Sequence, residues 1–322
     1  MRLLPLAGVL AACALGVGGA HAQRYPSRPV TIIVPFPAGG STDTVARIMA
    51  EGMQPILGQP VVIENVVGGS GIAGVEKLAR AAADGYTIDI GQWDTHIGGI
   101  IYNVAYDLRK DFAPIGLISI NPQLLLTRKT FEPTDLKGLV AWIKANPGKA
   151  TFANQNGAAR VAGILLQKAT GIDFQFVPYQ GAAPAMKDLI AGQVDLLMVQ
   201  TAIALPQMRA GTVKAIANLS PQRSATIPDI PTSAEAGVPG FYMTGWFGLF
   251  APKGTPRAAI GELNAAMTQV LADTRTSTRF AELGIDVAPR SLQSPEGLTF
   301  FCNMEIEAWW PIIKAAGMAH LR

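Results

Sequence analysis

From Val30 to the C-terminal region, short apolar runs alternate with stretches whose apolar residues recur at helical spacing, and this alternation constrains the fold more than any other feature. Val30–Val34 reads as a buried strand, and Val45, Ile48, Met49, Met53 and Ile56 then line one helical face. Val61–Val67 reads as a strand, Val75, Leu78 and Ala82 mark a helix, and Tyr86–Ile90 follows an Asp84-Gly85 turn. Leu136–Ala145 is a helix begun by Thr134-Asp135 and stopped by Asn146-Pro147-Gly148. Strands at Phe174–Val177, Val194–Val199 and Val213–Leu219 follow, with helices at Ala185–Ala191, Arg257–Ala272 and Pro295–Ala316. This order predicts an α/β fold with a mostly parallel sheet covered on both faces. Two stretches read as crossings: Ile115–Arg128, interrupted at Asn121-Pro122, and the Pro- and Gly-rich Pro228–Pro256, which holds the extended run Phe241–Phe250. They divide the chain into a lobe built from residues 23–121 and 226–322 and a middle lobe over 122–225.

Residues 1–22 read as a cleavable signal peptide: Arg2 is the positive end, Leu3–Val17 the apolar part, and Ala20-His21-Ala22 the small-x-small cleavage site. Leu10-Ala11-Ala12-Cys13 is the competing reading, a lipoprotein box that would leave a lipidated Cys13. Export to the periplasm leaves residues 23–322, in which Cys302 is the only cysteine, so a packed core and not a disulfide must hold the fold. The whole chain has 26 Lys+Arg against 23 Asp+Glu, with no basic run interleaved with aromatics, which argues against a nucleic-acid partner. No later segment is long and apolar enough to span a membrane.

Within the alternation, Val30–Asp43 (VTIIVPFPAGGSTD) stands out. A strand stops at Pro35-Phe36-Pro37, turns through Ala38-Gly39-Gly40 and enters a helix at Ser41-Thr42-Asp43. That geometry converges unpaired backbone N–H groups on one spot and favours a small anion. An ordinary βα connection with an N-cap remains the alternative. Gly69-Ser70-Gly71-Ile72-Ala73-Gly74 matches a dinucleotide fingerprint with Asp89 downstream, but Glu64-Asn65 interrupt the strand before it, so a tight glycine turn is favoured and no cofactor is expected. Only His96 and His320 remain after the leader, no Gly-x-Ser-x-Gly elbow is present, and no His/Cys/Asp/Glu cluster has metal spacing. His96 sits at the C-terminal end of a strand, as a cleft residue or as a satisfied structural histidine. Phe36, Trp93, Tyr179 and Trp246 lie in loops after strands or at the crossings, where packing is the default role for any one of them.

Ordered motifs then carry a resemblance. They are Val-Pro-Phe-Pro-Ala-Gly-Gly-Ser-Thr-Asp (34–43), Val-Val-Ile-Glu-Asn (61–65), Asp-Gly-Tyr-Thr (84–87), Thr95-His96, Tyr106-Asp107 with Lys110-Asp111-Phe112, and Val177-Pro178-Tyr179-Gln180-Gly181. Ala204-Leu205-Pro206, Pro228–Thr232, Glu235-Ala236-Gly237 and Ala251–Pro256 complete the set. Together they resemble the Bug family, the periplasmic substrate-binding proteins of tripartite tricarboxylate transporters. The resemblance implies a type II periplasmic-binding-protein fold, a monomer of two α/β lobes closing on a small carboxylate and delivering it to membrane permease subunits. It also implies ligand contacts from Phe36, Ala38, Gly39, Gly40, Ser41 and Thr42, from Gly91, Trp93, Thr95 and His96, and across the cleft from Asn154, Gly157, Arg160, Tyr179, Gln180 and Val199. The chain departs from the family pattern in a shortened Ala153–Arg160 loop, with Arg160 where a histidine aligns, and in Val199 where an aspartate aligns. Losing that aspartate removes a partner for a ligand ammonium, and Arg160 is suited to grip a second carboxylate. The expected ligand is therefore an organic acid without an amino group, such as a dicarboxylate or an aromatic acid. A solute sensor with a signalling partner and an exported enzyme are the competing classes.

Overall fold

The computed structural model describes residues 25–102, 104–224 and 226–320. The predicted signal peptide and Cys13 lie outside the described residues. The elements run β1 (Val30–Val34), α1 (Ser41–Leu57), β2 (Val61–Asn65), α2 (Ile72–Ala79), β3 (Thr87–Gln92) and β4 (Phe112–Arg128). Then come α3 (Leu136–Ala145), β5 (Thr151–Asn154), α4 (Gly157–Thr170), β6 (Gln175–Pro178), α5 (Ala182–Ala191), β7 (Leu196–Gln200), α6 (Thr201–Arg209) and β8 (Val213–Asn218). β9 (Thr244–Pro252), α7 (Arg257–Ala272), α8 (Thr274–Glu282), β10 (Asp286–Val287) and α9 (Pro295–Ala315) close the chain. The alternation read from hydrophobic spacing is the alternation observed. Three helices and a strand escape that reading: β5 and α4, which stand between α3 and β6, α6, which starts directly on β7 and contains Pro206, and α8, whose residues are mostly polar.

The strands follow the order β2-β1-β3-β9-β4-β7-β5-β6, with β8 and β10 also pairing with β4. β1 pairs in parallel with β2 and β3, and β5 in parallel with β6 and β7. The sheet is less parallel than the alternation predicts, because β4 and β9 run antiparallel to each other and to β3 and β7. These two strands join the parallel groups. β4 is 17 residues long, and its partners change midway: residues up to Pro122 pair with β9, and from Gln123 onward with β7 and β8. Pro122 has no N–H to donate and sits where one ladder ends, the place a strand tolerates proline. Its carbonyl accepts from the Thr201 hydroxyl at 2.9 Å. The return crossing comes at β9, later than residue 225. Backbone bonds from Ser233 to Asn218 and from Met243 to Leu219 hold the intervening segment against β8.

Three apolar clusters fill the molecule. α1 and α7 bury Val45, Met49, Met53, Leu263 and Met267 against β1, β3 and β9. α5 and α6 cover Leu124, Leu126, Leu197 and Val199 on the second group of strands. The third cluster runs through both, from Val75 and Trp93 to Phe152 and Leu166, with Phe301, Ile306 and Trp309 of α9 among its members.

Candidate functional site

In an open α/β sheet, ligands bind beyond the carboxyl ends of parallel strands. Here those ends are the segments after β1 and β3 on one side and after β5, β6 and β7 on the other. After β1, Pro35 is buried, Phe36 is half-buried, and Pro37–Gly40 are exposed. The Asp43 carboxylate holds this loop from beneath. It accepts from Gly39 N at 2.9 Å, Arg47 Nε at 2.8 Å and Asn65 Nδ2 at 2.9 Å. Asn65 Nδ2 also reaches the Phe36 carbonyl at 3.0 Å. Burial raises the Asp43 pKa, but the bonds from Arg47, Gly39 and Asn65 outweigh it and hold the group below the ordinary carboxylate range. Its stabilisation is therefore present above the unfolded-state pKa and lost as pH falls through the lower folded one. Asp43→Ala should loosen residues 36–40 and lower stability by about 1–3 kcal/mol, the cost of unpartnering groups in such a network, read by urea melts at pH 7.

α1 begins without a side-chain cap, because Gly40 occupies the N-cap position. The first N–H groups of a helix have no intrahelical acceptor, and those of Ser41, Thr42 and Asp43 stand unpaired at the positive end of the helix dipole. The Thr42 hydroxyl donates to Gln92 Oε1 at 2.8 Å, fixing the start of α1 to the end of β3. The Gly-x-Gly-x-x-Gly stretch backs the same loop. Gly71 has φ +93°, and a Cβ there would lie 2.6 Å from Thr95 Cγ2 and 2.9 Å from Phe36 Cζ. Its glycine serves close packing and a left-handed turn.

The segment after β3 differs from expectation. Trp93, Thr95 and His96 are buried, at 2%, 0% and 1% exposure. Trp93 packs edge-on against Trp309, with ring centroids 5.6 Å apart. The His96 ring lies 4.3 Å from Phe250, and its Nδ1 is 3.0 Å from the Thr95 hydroxyl. Gly91 makes room for it, since a Cβ at that position would fall 2.6 Å from His96 Cε1. Burial lowers the His96 pKa to about 3 and pushes neighbouring Asp89, also fully enclosed, well above its usual range. β3 is an interior strand between β1 and β9, so these side chains turn into the aromatic core and support the crevice from behind.

Across the crevice, Asn154 and Gln155 end β5, half-buried, and Gln180 is exposed. The Tyr179 hydroxyl donates to Asp188 at 3.0 Å, and burial together with that carboxylate raises its pKa to about 12. One further expectation is corrected, at Val199. Val199 lies in the apolar cluster under α5 and α6, so Gln200, at the end of β7, is the polar group presented there. Arg160 stacks over Phe176 with its guanidinium carbon 3.8 Å from the ring centroid, and no carboxylate pairs with it among the described residues.

Several participants were not singled out from the sequence. Asp94, after β3, reaches the start of α4 and accepts from Ala158 N at 3.0 Å and, more weakly, from Asn156 Nδ2 at 3.4 Å. Burial raises its pKa to about 6. The Tyr102 hydroxyl lies beside Gly157, 3.2 Å from where a Cβ on that glycine would stand. At the crossing, a Cβ on Gly245 would lie 2.9 Å from Gln123 Nε2, 3.4 Å from Gln200 Nε2 and 3.6 Å from Asn121 Cβ, so three amide side chains crowd one glycine. Both polar atoms of the buried Asn121 amide, and Gln155 Oε1, lack a hydrogen-bond partner in the structure. The strand-end rule was the available signal for Gln155 and Gln200; for Asp94 there was none. No group of three or more His, Cys, Asp or Glu could hold a metal among the described residues.

The model of the tripartite tricarboxylate transporter family receptors matches residues 45–318. Protein BugT of Bordetella pertussis is 35% identical over 98% of both chains. Among solved structures, the periplasmic binding protein BugD is 39% identical, covers 92% of this chain and 99% of its own, and has a TM-score of 0.82. MatC of Rhodopseudomonas palustris with bound malate is 37% identical over 90% of this chain and 100% of its own, TM-score 0.81. An R. palustris protein with adipate is 31% identical over 92% and 99%, TM-score 0.83. With an α/β fold in two lobes, a crevice between strand ends, and relatives aligned along nearly its whole length, the chain belongs to the tripartite tricarboxylate transporter receptor family, the Bug family of periplasmic solute-binding proteins.

Proposed function

We propose that this protein captures a small organic acid in the periplasm, between two lobes that close about β4 and β9, and passes it to the permease subunits of a tripartite transporter. The observation that carries this reading is the uncapped start of α1, held open by the Asp43–Asn65–Arg47 network at the mouth of the crevice. Its N–H groups and dipole suit one carboxylate. Malate and adipate bound to family neighbours support the same ligand class. Phe36–Thr42 form the carboxylate end of the site, and Asn154, Gly157, Tyr179 and Gln180 lie on the opposite wall. Ligand bridging both walls raises the closed population, the form a permease would recognise. No bond is broken, and residues 1–22 direct export.

A thermal-shift panel of mono- and dicarboxylates tests this, with mass spectrometry of solute retained through purification. A ligand at 100 times its dissociation constant should add about 2.7 kcal/mol of stability. Chemical conversion of a bound acid, or no stabilisation by any acid, would overturn the reading.

A further inference from the structure

The starts of α1 and α4 are in opposite states. That of α1 has no side-chain cap. At α4 the N–H groups after the first are already taken. Ala158 donates to Asp94 at 3.0 Å, Ala159 to the Asn156 side chain at 2.8 Å, and Arg160 to the Asn156 carbonyl at 3.2 Å. The anion that fills this second position is the protein's own, a carboxylate from the opposite lobe that is only 9% exposed. A ligand carboxylate would have to displace Asp94 or lie beside it, and like charges at close range oppose each other strongly where water is scarce.

The rest of that wall is neutral. Gln123 and Gln200 meet around Gly245 beside Asn121, and Asn121 and Gln155 carry buried amide atoms with no partner. Such atoms are costly to leave unmade and are met by water or by a ligand. An amide both donates and accepts, so it pairs with hydroxyl, carbonyl or carboxamide groups. Arg160, the one cation expected to grip a second carboxylate, is stacked on Phe176.

We propose that Asp94, by occupying the start of α4, restricts this cleft to acids with a single carboxylate, excluding those whose far end carries a second one. The proposal rests on the carboxylate-capture reading above and narrows it: one acid group on α1, and no second anion on the opposite wall. Asp94 is a specificity-determining residue acting by exclusion, as selective sites often do.

Calorimetry at pH 8 on matched pairs tests it, using glutarate against glutaramate and adipate against adipamate. The half-amides should bind at least tenfold tighter than the diacids. Asp94→Asn keeps an oxygen for Ala158 N–H but removes the charge, and should shrink the half-amide preference at least tenfold. Diacids binding as tightly as half-amides to the unaltered protein would overturn the proposal, as would an unchanged ratio in Asp94→Asn. Should the variant not fold, the ratios measured on the unaltered protein decide alone. Binding of none of these acids would instead overturn carboxylate capture itself.

Discussion

Replacing Gly40 by valine should reduce carboxylate binding by about 100-fold or more, equivalent to about 2.7 kcal/mol, while leaving the fold close to intact. Gly40 has φ −76° and ψ 171°, a conformation open to any residue. The nearest atom to a Cβ there is the Pro37 carbonyl oxygen at 3.5 Å, an ordinary contact. The backbone thus tolerates the substitution. The two added methyls, however, stand at the N-cap of α1, over the N–H groups that would receive the ligand oxygen. Gly40→Ser makes a sharper companion, since a serine hydroxyl at this position accepts from the N2 or N3 N–H. It should stabilise the helix slightly and still weaken binding. Calorimetry against the tightest acid of the panel, with a melt of each variant, checks both; full affinity in Gly40→Val would remove this loop from the site.

Glu305→Gln should make the protein more stable at pH 8 by about 3 kcal/mol at most, and leave it nearly unchanged at pH 4.5. Glu305 lies on α9 at 8% exposure. Burial raises its pKa from 4.5 to about 7, against the smaller opposing effect of the Trp246 and Trp309 indoles. Between those values the folded protein holds a proton that the unfolded chain has lost, so stability falls as pH rises from about 4.5 to about 7 and then levels. At about 1.36 kcal/mol per pH unit, that span is worth roughly 3 kcal/mol. Glutamine cannot ionise and keeps the size of the side chain. Urea melts at pH 5 and pH 8, followed by tryptophan fluorescence, should show the gap between the two proteins widening with pH. Comparing the pair cancels the contributions of Asp89 and Asp94, which are raised as well. A gap independent of pH would show that Glu305 is already neutral, or solvated, at pH 8.

The strand–helix alternation, the turn from β1 into α1 and the long extended runs of β4 and β9 were legible in the residues. Pro35-Phe36-Pro37 and Gly39-Gly40 act through their own backbone dihedrals, and helical spacing in 45–56 shows itself within a few turns. Leu136–Ala145 was placed to the residue because Asp135 caps it through Gly138 N at 2.7 Å, a bond between near neighbours in sequence. α6 and α8 were missed because one carries proline and the other few apolar residues, so burial periodicity has little to act on.

The roles of individual site residues were decided elsewhere. His96 was legible as a residue at a strand's end, yet whether it faces a solute or the core depends on Phe112 and Phe250 closing over it. Arg160 was legible as a cation near the cleft, but Phe176 determines where its charge sits. Asp94 meets a helix 64 residues further along the chain. What the sequence by itself determined is whatever depends on neighbours along the chain: which segments are strands and helices, where they turn, and which helix start is left uncapped by glycine. What only the tertiary structure decided is which distant groups share a low-dielectric space, because burial and pairing depend on how the two lobes pack and not on any local run of residues.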